Sequence, residues 1–219
     1  ILNIANNTIG RTQNISYSIW VNLDVTTSQY IIGNWGSSNA GSGLSILSGD
    51  VLLFQMSDGG NDSFFNNRVA NFSTYAPINT WNHILATWDG TDSKIYINGV
   101  LRNTWSPTLP YTIVFSNPFR IGWRGVYSNL ANGGLDELAL FDSAISIGDV
   151  WDGSGQPIDA SGIIGITNYW KMGENSTFLT NWTVPDEVGT STGTSANMTI
   201  EDRVGEAPNS SNNALSLNM

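Results

Sequence analysis

A chain of 219 residues with 40% hydrophobic and 11% aromatic residues is long and apolar enough to bury a core, which excludes a disordered protein. Its net charge of −10, with eight scattered Lys and Arg and no basic patch, makes nucleic acid and anionic membrane surfaces poor partners. With no cysteine, disulfides, thiol catalysis and cysteine-based zinc sites are excluded.

Charged residues make up only 12% of the chain, and Asn, Ser, Thr and Gly replace them at the surface and in turns. That balance suits an all-β protein with many loops. No apolar run approaches the ~20 residues of a membrane span, so no membrane insertion is expected. The chain starts at Ile rather than Met and carries no signal peptide, which reads as a processed or excised piece. The missing cysteines fit a bacterial or viral extracellular protein better than a small animal extracellular module.

In chain order, "ISYSIWVNLD" (15–24) is the first clear strand, alternating Tyr17, Ile19 and Val21 with Ser16, Ser18 and Trp20. "QYIIGNWG" (29–36), "GLSILSG" (43–49) and "DVLLFQMS" (50–57) follow, each closed by glycine or a polar turn. "TWNHILATWDGTDSKIYINGVL" (80–101) is a hairpin region in which Asp89-Gly90 and Asn98-Gly99 supply the positive φ that tight turns need. "YTIVFS" (111–116), "FRIGWRG" (119–125) and "GLDELALFDSAIS" (134–146) complete the strand signals, and "SIGDVWDG" (146–153) amounts to one helical turn at most. Strands about every ten residues without a long helical period imply a sandwich or barrel. Residues 153–163 read as a linker, and 164–219 as a Thr/Ser/Gly-rich tail that buries little by itself.

Three of these pieces resemble the laminin G-like (LamG-like, pentraxin-related) domains of the concanavalin A-like jelly-roll superfamily. They are "ISYSIWV", "WNHILATWDGTDSKIYINGVL" and "FRIGWRG…NGGLDELALFDSAIS". As an ordered set they are specific for the fold and not for the ligand. The resemblance implies an all-β, antiparallel two-sheet jelly-roll sandwich over 1–152, with a C-terminal loop-rich extension. One feature departs from the family pattern: "NYWKMGENS" (168–176) and "ALSLNM" (214–219) stand at the end of the chain rather than leading into the first strand. The tail then either completes the same sandwich, leads into another module, or donates a strand to a neighbouring subunit. "YWKMGEN" with "IEDRVGEAP" resembles the tails of marine phage and bacterial surface proteins that carry such domains.

His83, the chain's one histidine, has Trp81 and Leu85 on its face of the strand and no carboxylate or Cys partner in a motif, so it reads as structural. Glycoside hydrolases on this sandwich need two carboxylates ~5 Å apart on one face. Asp136 and Glu137 are adjacent and by strand parity point to opposite faces, while Asp142 lies ~20 Å further along an extended strand. With no Gly-x-Ser-x-Gly elbow, P-loop or His-Glu-x-x-His, the chain is not expected to be an enzyme.

The resemblance also implies calcium at one rim of the sandwich, held by loop carboxylates and carbonyls. Asp58, Asp62, Asp89 and Asp92 are the candidate ligands, with Asn61, Asn129 and Asn132 as further oxygen donors. For glycan binding, rings stack on sugar C–H faces while amides and charged groups bind hydroxyls. Trp35 and Asn39 in one loop, and Trp123, Arg124, Tyr127 and Asn129 in another, have that character; Trp20, Trp81 and Trp88 read as core or hairpin filler. Asn-x-Ser/Thr sequons occur at Asn6, Asn14, Asn61, Asn71, Asn175, Asn181, Asn197 and Asn209, where the composition alone yields roughly five.

The expected function is a non-catalytic extracellular or virion-surface adhesion module that binds glycans through rim loops, with calcium as the candidate cofactor. The alternative is a structural subunit of a fibre, filament or capsid decoration, assembled by strand addition from the tail. Partners are accordingly a glycan or a cell-surface or virion protein, in a homo-oligomer or a larger assembly. A polysaccharide-active enzyme is the third reading.

Overall fold

The computed structural model describes residues 2–4, 14–34, 40–58, 64–107, 118–123, 130–204 and 216–218. In chain order the first strands are β1 (Leu2–Ile4), β2 (Ile15–Leu23), β3 (Gln29–Gly33), β4 (Ala40–Leu47), β5 (Val51–Asp58) and β6 (Phe64–Ala70). After the single turn α1 (Phe72–Tyr75) come β7 (Asn82–Trp88), β8 (Ser93–Ile97), β9 (Val100–Trp105), β10 (Phe119–Ile121) and β11 (Gly133–Phe141). The turn α2 (Ile147–Val150) precedes β12 (Ile166–Trp170), β13 (Thr177–Phe178), β14 (Trp182–Val184), β15 (Gly193–Ser195), β16 (Arg203–Val204) and β17 (Ser216–Asn218).

These strands form two antiparallel sheets. Sheet A runs β13-β14-β15-β1-β10-β3-β4-β5-β6, and sheet B runs β16-β17-β11-β2-β7-β8-β9 with β12 also paired to β11. The expected all-β two-sheet sandwich is present. Its core follows strand parity: Tyr17, Ile19 and Val21 of β2 meet Leu44 and Ile46 of β4 and Leu52, Phe54 and Met56 of β5 between the sheets. A register shift in β3 against β4 lets both Ile31 and Ile32 enter that core.

Strand β6 carries no clear pattern in the sequence because two asparagines interrupt "FFNNRVA". Asn67 nevertheless points inward, donating to the Ser93 carbonyl and hydroxyl at 3.0 Å and accepting from Asn103 at 2.7 Å, so its burial is satisfied. The strand expected at 111–116 lies outside the described residues.

The centre of sheet B, at β2, β7 and β11, is buried on both faces. On its outer side Leu85, Ala139, Phe141 and Tyr169 pack with Val150 and Ala160 of the segment that crosses the sheet after β11. Within 153–163, Asp159 accepts from the Ser161 backbone at 2.9 Å and pairs with Lys171 at 3.0 Å. Further on, β12 pairs with β11, β15 sits between β1 and β14 in sheet A, and β17 lies between β11 and β16. Trp170, Met172, Trp182, Val184 and Met198 all belong to the inter-sheet core.

Candidate functional site

The outer face of sheet A is built differently from that of sheet B. Phe119 and Ile121 of β10 face the core, so parity sends Arg120 outward; Leu2 and Ile4 do the same for Asn3. Cross-strand pairing then links Thr177, Thr183, Thr194, Asn3, Arg120, Gly33, Gly43, Gln55 and Asn66 into one transverse ladder, one residue from each described strand of the sheet. None of the nine is apolar beyond glycine. The three threonines are exposed, and Asn3, Arg120, Gln55 and Asn66 are half-buried. The backbone is thus a regular sheet, and the side chains offer amide and hydroxyl donors and acceptors at the ~4.8 Å strand spacing.

Arg120 is the charge in this ladder. Its guanidinium lies 5.2 Å from the centroid of the Trp123 ring, a cation–π contact within β10's own exit. Its Nε is buried without a hydrogen-bond partner, as is Oδ1 of Asn66 at the far side of the two glycines. Burial lowers the Arg120 pKa from its ordinary value, and no carboxylate offsets it. Among the described residues the ion pair is Lys171–Asp159, and Arg120 has no acidic partner there.

Trp123 is therefore the one predicted ligand residue that the structure places, half-buried beside this ladder. Trp35, Asn39, Arg124, Tyr127 and Asn129 lie outside the described residues. Because Arg120 pairs with Gly33 and Ile121 with Ile32, β3 and β10 run in opposite directions. The strand ends that lead into 35–39 and 124–129 accordingly face opposite ends of sheet A. Parity in "FRIGW" was the signal for Arg120, an outward base flanked by inward Phe and Ile, yet the sequence reading favoured the loop residues after it.

The candidate calcium ligands separate in the same way. Asp89 Oδ1 accepts from the backbone of Thr91 at 2.8 Å and of Asp92 at 2.7 Å, closing its own turn, and Asp92 accepts from the Ser106 hydroxyl. Asp58 ends β5 opposite Ala40, and Asn132 donates its backbone N–H to Gln29 Oε1 at 2.9 Å. Asn61, Asp62 and Asn129 are outside the described residues. Among the described residues no group of three or more His, Cys, Asp or Glu converges as a metal site. Of the sequons, Asn14, Asn71, Asn175, Asn181 and Asn197 are exposed, and Asn6, Asn61 and Asn209 are outside the described residues.

The groups with acid–base chemistry sit on the opposite sheet. His83 is 1% exposed, shares a 2.8 Å hydrogen bond between its Nε2 and Ser18 Oγ, and has its pKa lowered by burial to about 3. It is neutral and enclosed, which is a structural role. Asp136 and Glu137 do not obey the parity expected of them. Glu137 has φ 51° and sits in a bulge where β11 slips against β2 between Asp136 and Ala139. The bulge carries its carboxylate to the Tyr169 hydroxyl, on the same outer side as Asp136, which pairs across from Trp20. Burial raises the Glu137 pKa to about 7, with the Tyr169 bond opposing the shift. Asp136 is raised well above the usual range by burial and next by the Glu137 charge. Paired carboxylates thus exist, but Asp136 is 1% exposed, out of reach of a polymer chain.

Several solved structures share this architecture. A "putative carbohydrate binding protein" from Bacteroides ovatus superposes with a TM-score of 0.68 at 17% identity, covering 90% of this chain and 56% of that one. The chain thus spans little more than half of that protein. Domain 4 of AbnA, a GH43 extracellular arabinanase from Geobacillus stearothermophilus solved with arabinotriose, matches at 0.51 and 18% identity over 67% of this chain and 68% of that one. The CBM40 of the Ruminococcus gnavus IT-sialidase, bound to α2,3-sialyllactose, matches at 0.54 and 11% identity over 67% and 88%. At these identities the likeness establishes the fold. No curated protein matches the chain. The family model Laminin_G_3, of the concanavalin A-like lectin/glucanases superfamily, matches residues 2–150, and the chain belongs to that family.

Proposed function

We propose that this protein is a non-catalytic carbohydrate-binding module that takes a glycan on the outer face of sheet A. The observation that carries the reading is the polar ladder itself, exposed at its threonines and half-buried at Asn3, Arg120, Gln55 and Asn66, with Arg120 on Trp123. A glycan supplies what such a face lacks: hydroxyls at close spacing for Asn3, Gln55 and Asn66, and C–H surfaces for aromatic rings. Support comes from the solved neighbours whose titles name carbohydrate binding, arabinotriose and sialyllactose. One neighbour is a domain of an extracellular enzyme, and no helix of the described chain is long and apolar enough to cross a membrane; we place this module outside the cell.

A glycan array probed with and without EDTA tests this. Binding that falls about tenfold or more in Gln55→Ala and Trp123→Ala, with unfolding unchanged, is the expected result. Binding abolished by EDTA and restored by calcium would add the metal to the recognition site. No binding to any glycan, or release of reducing sugar from a polysaccharide, overturns the reading.

A further inference from the structure

We infer that Arg120 is the seat of a single carboxylate, so that the ligand is a sparsely charged glycan carrying an acidic sugar; this rests on the glycan-binding reading above. The argument starts from charge. Among the described residues the half-buried Lys171 pairs with an acid, whereas Lys94 and Arg102, toward the β9 edge of sheet B, do not. Nor does Arg120, although it lies in the middle of a sheet where any neighbouring strand could have supplied one. Its cross-strand neighbours are Asn3 on β1 and Gly33 on β3. Neither accepts from it, and its Nε stays buried and unpaired.

A desolvated guanidinium gains most from an anion, and with Nε buried its terminal Nη pair is the end that can present two N–H groups to the two oxygens of a planar carboxylate. Trp123 under the guanidinium fixes the plane of that end. Across Gly33 and Gly43, Gln55 stands three strand spacings away, about 14 Å, which leaves the length of two or three sugar rings between the charge and the next amide. The rest of the ladder is neutral, so one acidic unit is met by Arg120 and its neighbours by amides and hydroxyls. The net charge of −10 repels densely charged polyanions, which limits the ligand to isolated carboxylates.

The test is calorimetric titration of the whole chain with four related oligosaccharides: a neutral one, the same chain bearing one uronic or sialic acid, its carboxyl-reduced form, and a sulfated form. The acidic ligand is expected to bind about tenfold more tightly than its carboxyl-reduced form, with an affinity that falls as salt rises. Arg120→Gln should erase that preference, so that the acidic ligand and its carboxyl-reduced form bind alike. Arg120→Lys, which keeps charge and folding but lacks the fork, should also lose most of it. Equal binding of the acidic and carboxyl-reduced ligands, a preference for the sulfated form, or a preference that survives Arg120→Gln overturns this inference and leaves glycan binding standing. Failure of all four ligands to bind overturns both.

Discussion

The indole of Trp151 lies flat on the imidazole of His83, with centroids 5.5 Å apart and planes 24° from parallel, and the same indole stacks on Trp20 at 5.6 Å and 26°. This lid keeps water from His83 and explains why its pKa falls to about 3. The unfolded chain takes up that proton near pH ~6.5, the folded chain only near about 3. The stability contributed by neutral His83 is therefore complete above pH ~6.5 and lost as pH falls toward 3, at up to about 1.4 kcal/mol per pH unit. His83→Gln should flatten this acid limb in urea unfolding measured across pH. Parallel profiles for the two proteins would sink the account.

Glu137 and Asp136 act with the opposite sign. Both folded pKa values are raised, Glu137 to about 7, so their contribution is complete below the ordinary carboxylate range and lost as pH rises above it, for Glu137 through about 7. Glu137→Gln keeps a partner for the Tyr169 hydroxyl and removes the buried charge. Relative to wild type it should gain about 2 kcal/mol at pH ~8 and little at pH ~4. Thermal unfolding at the two pH values decides it, and a gain that is equal at both would count against the shifted carboxylate.

At the next turn, Asn98 (φ 50°) and Gly99 (φ 78°) make the tight connection between β8 and β9. A Cβ on Gly99 would lie 2.2 Å from Trp151 Nε1, so Gly99→Ala strains the turn and lifts the indole off His83. A loss of about 2 kcal/mol or more is expected, together with a shallower acid limb as His83 regains water. Gly148→Ala in α2 meets nothing within 4 Å and should be neutral or stabilising by up to about 1 kcal/mol. Denaturant unfolding of the pair would separate the two, and an unperturbed Gly99→Ala protein would show that Trp151 is not seated by this turn.

Much of this was legible wherever period two ran unbroken. Tyr17, Ile19 and Val21 could be assigned to the core from alternation alone, and Asn98-Gly99 from turn chemistry. Parity failed at Asp136 and Glu137 because a bulge adds one residue, and nothing in "GLDELALF" marks Glu137 for a left-handed φ. Trp20 was read as filler, and it is 3% exposed, but its cover is Trp151 from a segment with no strand signal. Arg120 was overlooked because its isolation is a property of pairing: which strands flank β10, and that neither offers an acid, is decided by β1 and β3 far away in sequence.

The family match ends at residue 150, yet the core does not. Trp170 is fully buried, stacks on Phe119 at 6.3 Å and 11°, and donates its Nε1–H to the Ser191 carbonyl at 2.9 Å. Trp182 is 1% exposed and donates to the Thr199 carbonyl at 2.7 Å. Each indole thus spans two parts of the tail while filling the space between the sheets. Trp182→Ala should cost about 3–5 kcal/mol, the range for removing a large buried ring. A chain cut after Asp152 loses β12, which covers β11, and β15, which pairs with β1, leaving Leu2, Ile4 and Leu138 open to water. It should show no cooperative unfolding transition and should bind a hydrophobic dye. A truncated chain that melts cooperatively, with wild-type glycan affinity, would mean that residues 153–219 are an appendage rather than part of the sandwich.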